Sequence, residues 1–135
     1  MKNKKIYLDT NIIIDMIDRA RDNYPLAQRL IKKLSYEDYE VYFSEDMITT
    51  IYYILRGNEL VLHFFNSVID EWHIVPFGKD VIKEAIEFSL KHNSDLEDTL
   101  QCFCAKENGC SFLTNDKKFI DCGVKIVTYE EFLGD

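Results

Sequence analysis

Lys5-Ile6-Tyr7-Leu8-Asp9-Thr10-Asn11 is the stretch that decides the fold. Ile6, Tyr7 and Leu8 make a short apolar run without polar alternation, as in a strand covered on both faces. The run ends on a carboxylate, and Asn11 to Ile17 then reads as a helix opening at the strand's end. Strands that feed directly into helices build parallel sheets, and the polar groups at their carboxyl ends line a shared crevice.

The same unit recurs along the chain. Asn23-Tyr24-Pro25 starts a second helix, with Asn at the cap, Pro in the first turn, and Leu26, Leu30, Ile31 and Leu34 on one stripe. Val41-Tyr42-Phe43 is the second strand. Ser44 is expected to cap the following helix, with Glu45 and Asp46 in a solvent-facing first turn and Gly57 beyond its end. Glu59 to Trp72 is amphipathic, Ile74-Val75 is a third strand, and Asp80 to Lys91 is helical. Ser94 is expected to cap a helix running from Asp95 to about Asn108. Ser111 to Thr114 and Ile126-Val127 are the last two strands, followed by a short helix around Glu130. This predicts an α/β fold of three layers, with a central, mostly parallel sheet of four to five strands in one domain over residues 1–135.

Composition agrees. A chain of 135 residues that is 47% hydrophobic and 30% charged can bury a real core. Apolar runs are cut by charge well short of the ~20 residues a spanning helix needs. Met1 to Lys5 is basic but lacks the apolar stretch of a secretory signal, so a cytoplasmic protein is expected. Cys102, Cys104, Cys110 and Cys122 are expected to be buried, reduced thiols; Cys102 and Cys104 point to different sides of a helix and do not chelate one ion together. A net charge of −8 argues against broad electrostatic grip on nucleic acid. It restricts any such contact to a local basic patch or to a partner's help, and it is compatible with a site where bound cations reverse the field.

The chemistry lies in acids at strand exits and helix starts. Asp9 ends the first strand. Asp95 and Asp98 lie three apart in a helix's first turn and share a face. Asp116 follows the fourth strand in Thr114-Asn115-Asp116. Crowded carboxylates repel unless neutralised, and a hard divalent cation with oxygen ligands does this. One such Asp is an ordinary cap; three clusters in these places are not.

These motifs resemble the PIN-domain family, which includes the VapC-type toxins of bacterial toxin–antitoxin pairs. Ile6-Tyr7-Leu8-Asp9-Thr10-Asn11 is similar to the family's opening, Asp95-Leu96-Glu97-Asp98-Thr99-Leu100-Gln101 to its third acidic motif, and Phe112-Leu113-Thr114-Asn115-Asp116 with Phe119 to its fourth. The resemblance spans essentially the whole chain. It implies Mg²⁺- or Mn²⁺-dependent cleavage of RNA, with Asp9, Asp98 and Asp116 as metal ligands and Asp95 as an additional pocket acid. Asn11 and Thr114 would orient those ligands. The family usually carries a Glu in the helix after the second strand, where this chain has Thr49-Thr50; Thr50 could hold a metal-bound water but brings no charge. That departure leaves open a catalytically weakened domain that binds RNA or protein.

RNA contact is expected from Lys117, Lys118 and Arg56, with Arg19 and Arg21 as further candidates. The resemblance also implies an antitoxin partner reaching into the acidic pocket and a homodimer. Ile51-Tyr52-Tyr53 and His63-Phe64-Phe65 are candidates for an interface or for core. Two other Asp-dependent chemistries fit less well. A haloacid-dehalogenase-type phosphatase wants a second Asp where Asn11 stands, and a receiver-like phosphoacceptor wants an acidic pair at the first strand's end.

Overall fold

The computed structural model describes residues 3–116 and 120–134. Its centre is β1 (Lys5–Leu8), in which Ile6, Tyr7 and Leu8 are all buried. Both neighbours of β1 are parallel to it: β2 (Glu40–Ser44) on one side and β4 (Ser111–Leu113) on the other. β3 (His73–Val75) adds beyond β2, and β5 (Ile126–Val127) adds beyond β4. The order is therefore β3-β2-β1-β4-β5, and every pairing is parallel. β1 and β4 are adjacent, so the order reverses beside β1, and their carboxyl ends open onto the same crevice.

Seven helices flank this sheet among the described residues: α1 (Thr10–Ile17), α2 (Tyr24–Tyr36), α3 (Asp46–Ile54), α4 (Glu59–Val68), α5 (Gly78–His92), α6 (Leu96–Glu107) and α7 (Tyr129–Leu133). α1 packs on α2, α7 on α2, and α5 on α6. Pro25 stands in the first turn of α2, where its missing N–H costs nothing, and Ala27, Leu30 and Leu34 form the buried stripe. Tyr7 stacks on Phe112 across the central strands, with ring centroids 5.4 Å apart. Phe43, Phe65 and Trp72 fill the sheet's other end with edge and tilted contacts. Ile51 and Phe65 are thus core residues, whereas Tyr53, Ile54, Leu60 and Leu62 remain on the surface where α3 meets α4.

Three local expectations are corrected. Ser44 is the last residue of β2 and fully buried, and it does not cap α3. Asp95, not Ser94, caps α6; its Oδ2 accepts from the Asp98 N–H at 3.0 Å. The Ser94 hydroxyl bonds Thr99 instead, at 2.7 Å. Cys102 and Cys122 are joined as a disulfide, so only Cys104 and Cys110 are the buried free thiols expected. No described helix is long and apolar enough to cross a membrane.

Candidate active site

Asp9 is built into the end of the sheet. Its backbone N–H donates to the Leu113 carbonyl at 3.0 Å, which prolongs the β1–β4 ladder by one residue. It then caps α1: Oδ1 accepts from the Thr10 N–H at 2.8 Å, while Oδ2 accepts from the Thr114 hydroxyl at 2.7 Å. Both carboxylate oxygens are thus oriented, and the side chain is only 7% exposed. Burial pushes its carboxyl above the usual Asp range. The bonds from Thr114 and Thr10 oppose that rise, and Asp116 adds repulsion.

Thr114 couples the two strand ends. While it donates to Asp9, its Oγ1 accepts from the Asp116 N–H at 3.1 Å. One buried hydroxyl therefore sets the spacing between the first and last acids. Asp98 arrives from the first turn of α6, and its carboxyl is pushed up to about 6. Partial burial is the largest cause, followed by the charges of Asp95, Asp9, Asp116 and Glu97. Asp9, Asp98 and Asp116, far apart in sequence, are close enough to repel one another. Asp95 adds its charge to Asp98 while one of its oxygens caps α6.

The other candidates divide. Asn11 lines the cavity beside Asp9 and Asp116, and its Oδ1 accepts from Arg21 at 3.3 Å. Thr50 lies on α3 one turn beyond Asp46, and among the described residues no hydrogen bond joins it to the acids. Arg56 sits in the turn after α3 with a positive φ of 57° and lines a different cavity, with Arg19. Lys117 and Lys118 lie outside the described residues, as does Phe119.

Several site residues were not singled out from sequence. Asp46 does not face solvent as expected: the Ser44 hydroxyl, at the end of β2, donates to its Oδ1. Gln101, fully buried on α6, accepts from the Tyr7 hydroxyl, and its Nε2 donates to Glu97 Oε1 at 3.1 Å. Glu97 has its carboxyl raised, chiefly by lost solvent; Gln101 opposes this, and Asp46, Asp95 and Asp9 add repulsion. Beyond the acids, buried Asp15 accepts from Arg21 Nε at 3.0 Å and from the Tyr129 hydroxyl at 2.9 Å. Burial, then Asp15, pushes the Tyr129 hydroxyl well above the ordinary tyrosine range. That ion pair holds the cavity's one guanidinium among the described residues.

The donor chemistry of this cluster is all oxygen, which suits Mg²⁺ or Mn²⁺ rather than a thiolate- or imidazole-seeking ion. Among the described residues, no three carboxylate, imidazole or thiol side chains are grouped so that they could hold a metal ion together. Mg²⁺ does not need three: it keeps several waters and takes one or two carboxylates plus phosphate oxygens. Repulsion among Asp9, Asp98 and Asp116 is what such a cation would relieve.

Comparison with known proteins identifies the family and the fold. The PIN domain pattern matches residues 6–125. Ribonuclease VapC1 of Aquifex aeolicus (strain VF5) is 36% identical over 137 residues, covering 98% of this chain and 95% of that protein. In fold, the chain is similar to VapC20 of Mycobacterium tuberculosis, described as a sarcin–ricin-loop-cleaving toxin, with a TM-score of 0.72 at 15% identity over 88% of this chain and 95% of that one. It is also similar to a toxin–antitoxin complex from Klebsiella pneumoniae (TM-score 0.70, 16% identity, 93% and 98% covered). FitAcB from Neisseria gonorrhoeae superposes with a TM-score of 0.69 at 20% identity, over 92% and 97% of the two chains.

Proposed function

The chain belongs to the PIN-domain family, and from that premise we propose that it is a Mg²⁺- or Mn²⁺-dependent endoribonuclease, the toxin of a toxin–antitoxin pair acting in the cytoplasm. The observation that carries this reading is the convergence of Asp9, Asp98 and Asp116 from two strand ends and a helix start into one mutually repelling set. The ribonuclease relative, alike over nearly its whole length, supports the reaction class.

Asp9, Asp98 and Asp116 would hold the cation. When bound, it supplies Lewis-acid polarisation of a phosphoryl oxygen and a more acidic water. The chain's own residues do the positioning. Thr114 and the Thr10 N–H fix both oxygens of Asp9, so the carboxylate has no rotamer freedom left to lose on binding. Asp95 anchors the first turn of α6 and so fixes Asp98. Arg21, held by Asp15 and Asn11, sets a guanidinium beside the acids where an RNA phosphate would lie. Lys117 and Lys118, next to Asp116 in sequence, are further phosphate contacts in this reading. The antitoxin would cover the apolar surface of Tyr53, Ile54, Leu60 and Leu62 and reach a basic group toward the acids; a homodimer is the other assembly proposed.

The test is cleavage of a structured RNA by wild type and Asp9→Asn with Mg²⁺ or Mn²⁺. The reading requires loss of cleavage in the variant, and equal activity in the two proteins would sink it. Thr50, in place of the family's Glu, favours a second reading: a binding module with weakened catalysis. That module would bind RNA but show no Mn²⁺-linked rise in melting temperature, because only a ligand of the folded state raises stability by mass action.

A further inference from the structure

The family's helix carboxylate is absent at Thr50, yet a buried polar relay leads to a different carboxylate at the edge of the same pocket. It starts in the core at Tyr7, a fully buried residue of β1 whose hydroxyl donates to the Gln101 carbonyl oxygen. Gln101 is itself 1% exposed, and a buried amide must spend its donors on fixed partners. One Nε2 proton goes to Glu97 Oε1 at 3.1 Å, and Nε2 also lies 3.3 Å from Ser44 Oγ. Ser44 ties the same relay to Asp46 at the start of α3. Glu97 and Gln101 are one turn apart on α6, so the amide grips the carboxylate from below along the helix face. Glu97 stands next to Asp98 in the first turn of α6, and Gln101 and Ser44 link it to Asp46 at the start of α3.

We propose that Glu97 supplies the carboxylate that Thr50 does not, and that Gln101 is a positioning residue that aims Glu97 at the divalent-ion pocket. A solvent-facing Glu on a surface helix turn needs no buried amide, and the core hydroxyl of Tyr7 does not need an acceptor that also grips a surface acid. The relay makes sense as a device that spends core hydrogen bonds on the direction of one carboxylate. The inference rests on the nuclease reading, since it assigns Glu97 to the same ion.

The experiment measures Mn²⁺ binding without RNA, by isothermal titration calorimetry and by electron paramagnetic resonance of the bound ion. The proteins are wild type, Glu97→Gln, Asp98→Asn, and the double variant Tyr7→Phe/Gln101→Met. The double variant removes both ends of the core bond, so neither is left as a buried orphan. Glu97→Gln changes a solvent-accessible group and tests the carboxylate even if the core variant misfolds. Glu97→Gln is expected to weaken Mn²⁺ binding about tenfold, as loss of a supporting ligand does. Tyr7→Phe/Gln101→Met is expected to weaken it similarly, and adding Glu97→Gln to that background should change little more, because both act through one carboxylate. Wild-type affinity in Glu97→Gln, with binding lost in Asp98→Asn, overturns the role of Glu97 and leaves the nuclease reading standing. Additive losses from the two lesions overturn the positioning role of Gln101. Unchanged binding in both Asp98→Asn and Glu97→Gln overturns the proposal together with the nuclease reading.

Discussion

Asp98→Asn should stabilise the metal-free protein and, on the proposed reading, remove a ligand of the divalent ion. The Asp98 carboxyl lies at about 6 against an ordinary 3.8. Its folded value is raised, so the carboxylate costs stability: nothing below about pH 4, increasing between 4 and 6, and fully present above 6. The difference would correspond to about 3 kcal/mol for a fully buried group. Asp98 is only partly buried, so solvent screening reduces this to about 1 kcal/mol. Replacing a first-turn carboxylate also forfeits a favourable dipole contribution of about 0.5 kcal/mol. A net gain near 0.5 kcal/mol raises the melting temperature by about 2 °C for a chain of this size. Thermal melts in EDTA at pH 7.5 and pH 4 test this: the gain should be present at the first and gone at the second. With Mn²⁺ at a hundred times its dissociation constant, wild type should gain about 2.7 kcal/mol and Asp98→Asn far less. If the variant melts below wild type in EDTA at pH 7.5, the carboxylates do not repel as described. If Mn²⁺ stabilises both proteins equally, Asp98 is not a ligand.

Three further outcomes follow from other contacts. Tyr129→Phe removes a buried donor from Asp15 and should cost about 2 kcal/mol in urea unfolding; a loss under about 0.5 kcal/mol would mean that bond is idle. Reducing Cys102–Cys122 opens a loop with a sequence separation of 20. The chain-entropy account puts that at about 3 kcal/mol, readable as a drop in melting temperature with dithiothreitol that Cys102→Ser/Cys122→Ser abolishes. Thr114→Val takes the hydroxyl from Asp9 and its acceptor from Asp116, so Mn²⁺ affinity should fall about tenfold while circular dichroism stays native. Unchanged affinity would show that Thr114 serves packing alone.

The layout was legible because apolar runs too short for helices each ended at an acid or a turn. That Asp9, Asp98 and Asp116 lie near one another could be read for the same reason: a strand end or a helix start is a place where polar groups converge. What stayed hidden depends on angles and partners that spacing does not show. Asp46 was expected in solvent, yet β2 extends one residue further and its Ser44 hydroxyl draws that carboxylate inward. Ser94 and Asp95 both carry capping side chains, and only the backbone of α6 decides between them. Gln101 closes the stretch that begins at Asp95, but spacing alone does not show that Tyr7 lies beneath it. Asp15 and Tyr129 meet across 114 positions, and Cys102 meets Cys122 only once α6 and β5 are in place. The sequence shows which groups exist at the crevice; tertiary packing selects which of them point into it.

The ladder between β1 and β4 does not stop at the last strand residue. Asp9 N–H is bonded to Leu113, and Thr114 N–H is bonded to the carbonyl of Val127. The amides of two site residues are therefore sealed into the same cooperative unit as the sheet's centre, and should exchange with deuterium only when the whole domain opens. On the sheet's side, such a pocket is as firm as the centre of the domain. The wall that α6 supplies is held differently, by a helix cap rather than by the sheet's ladder.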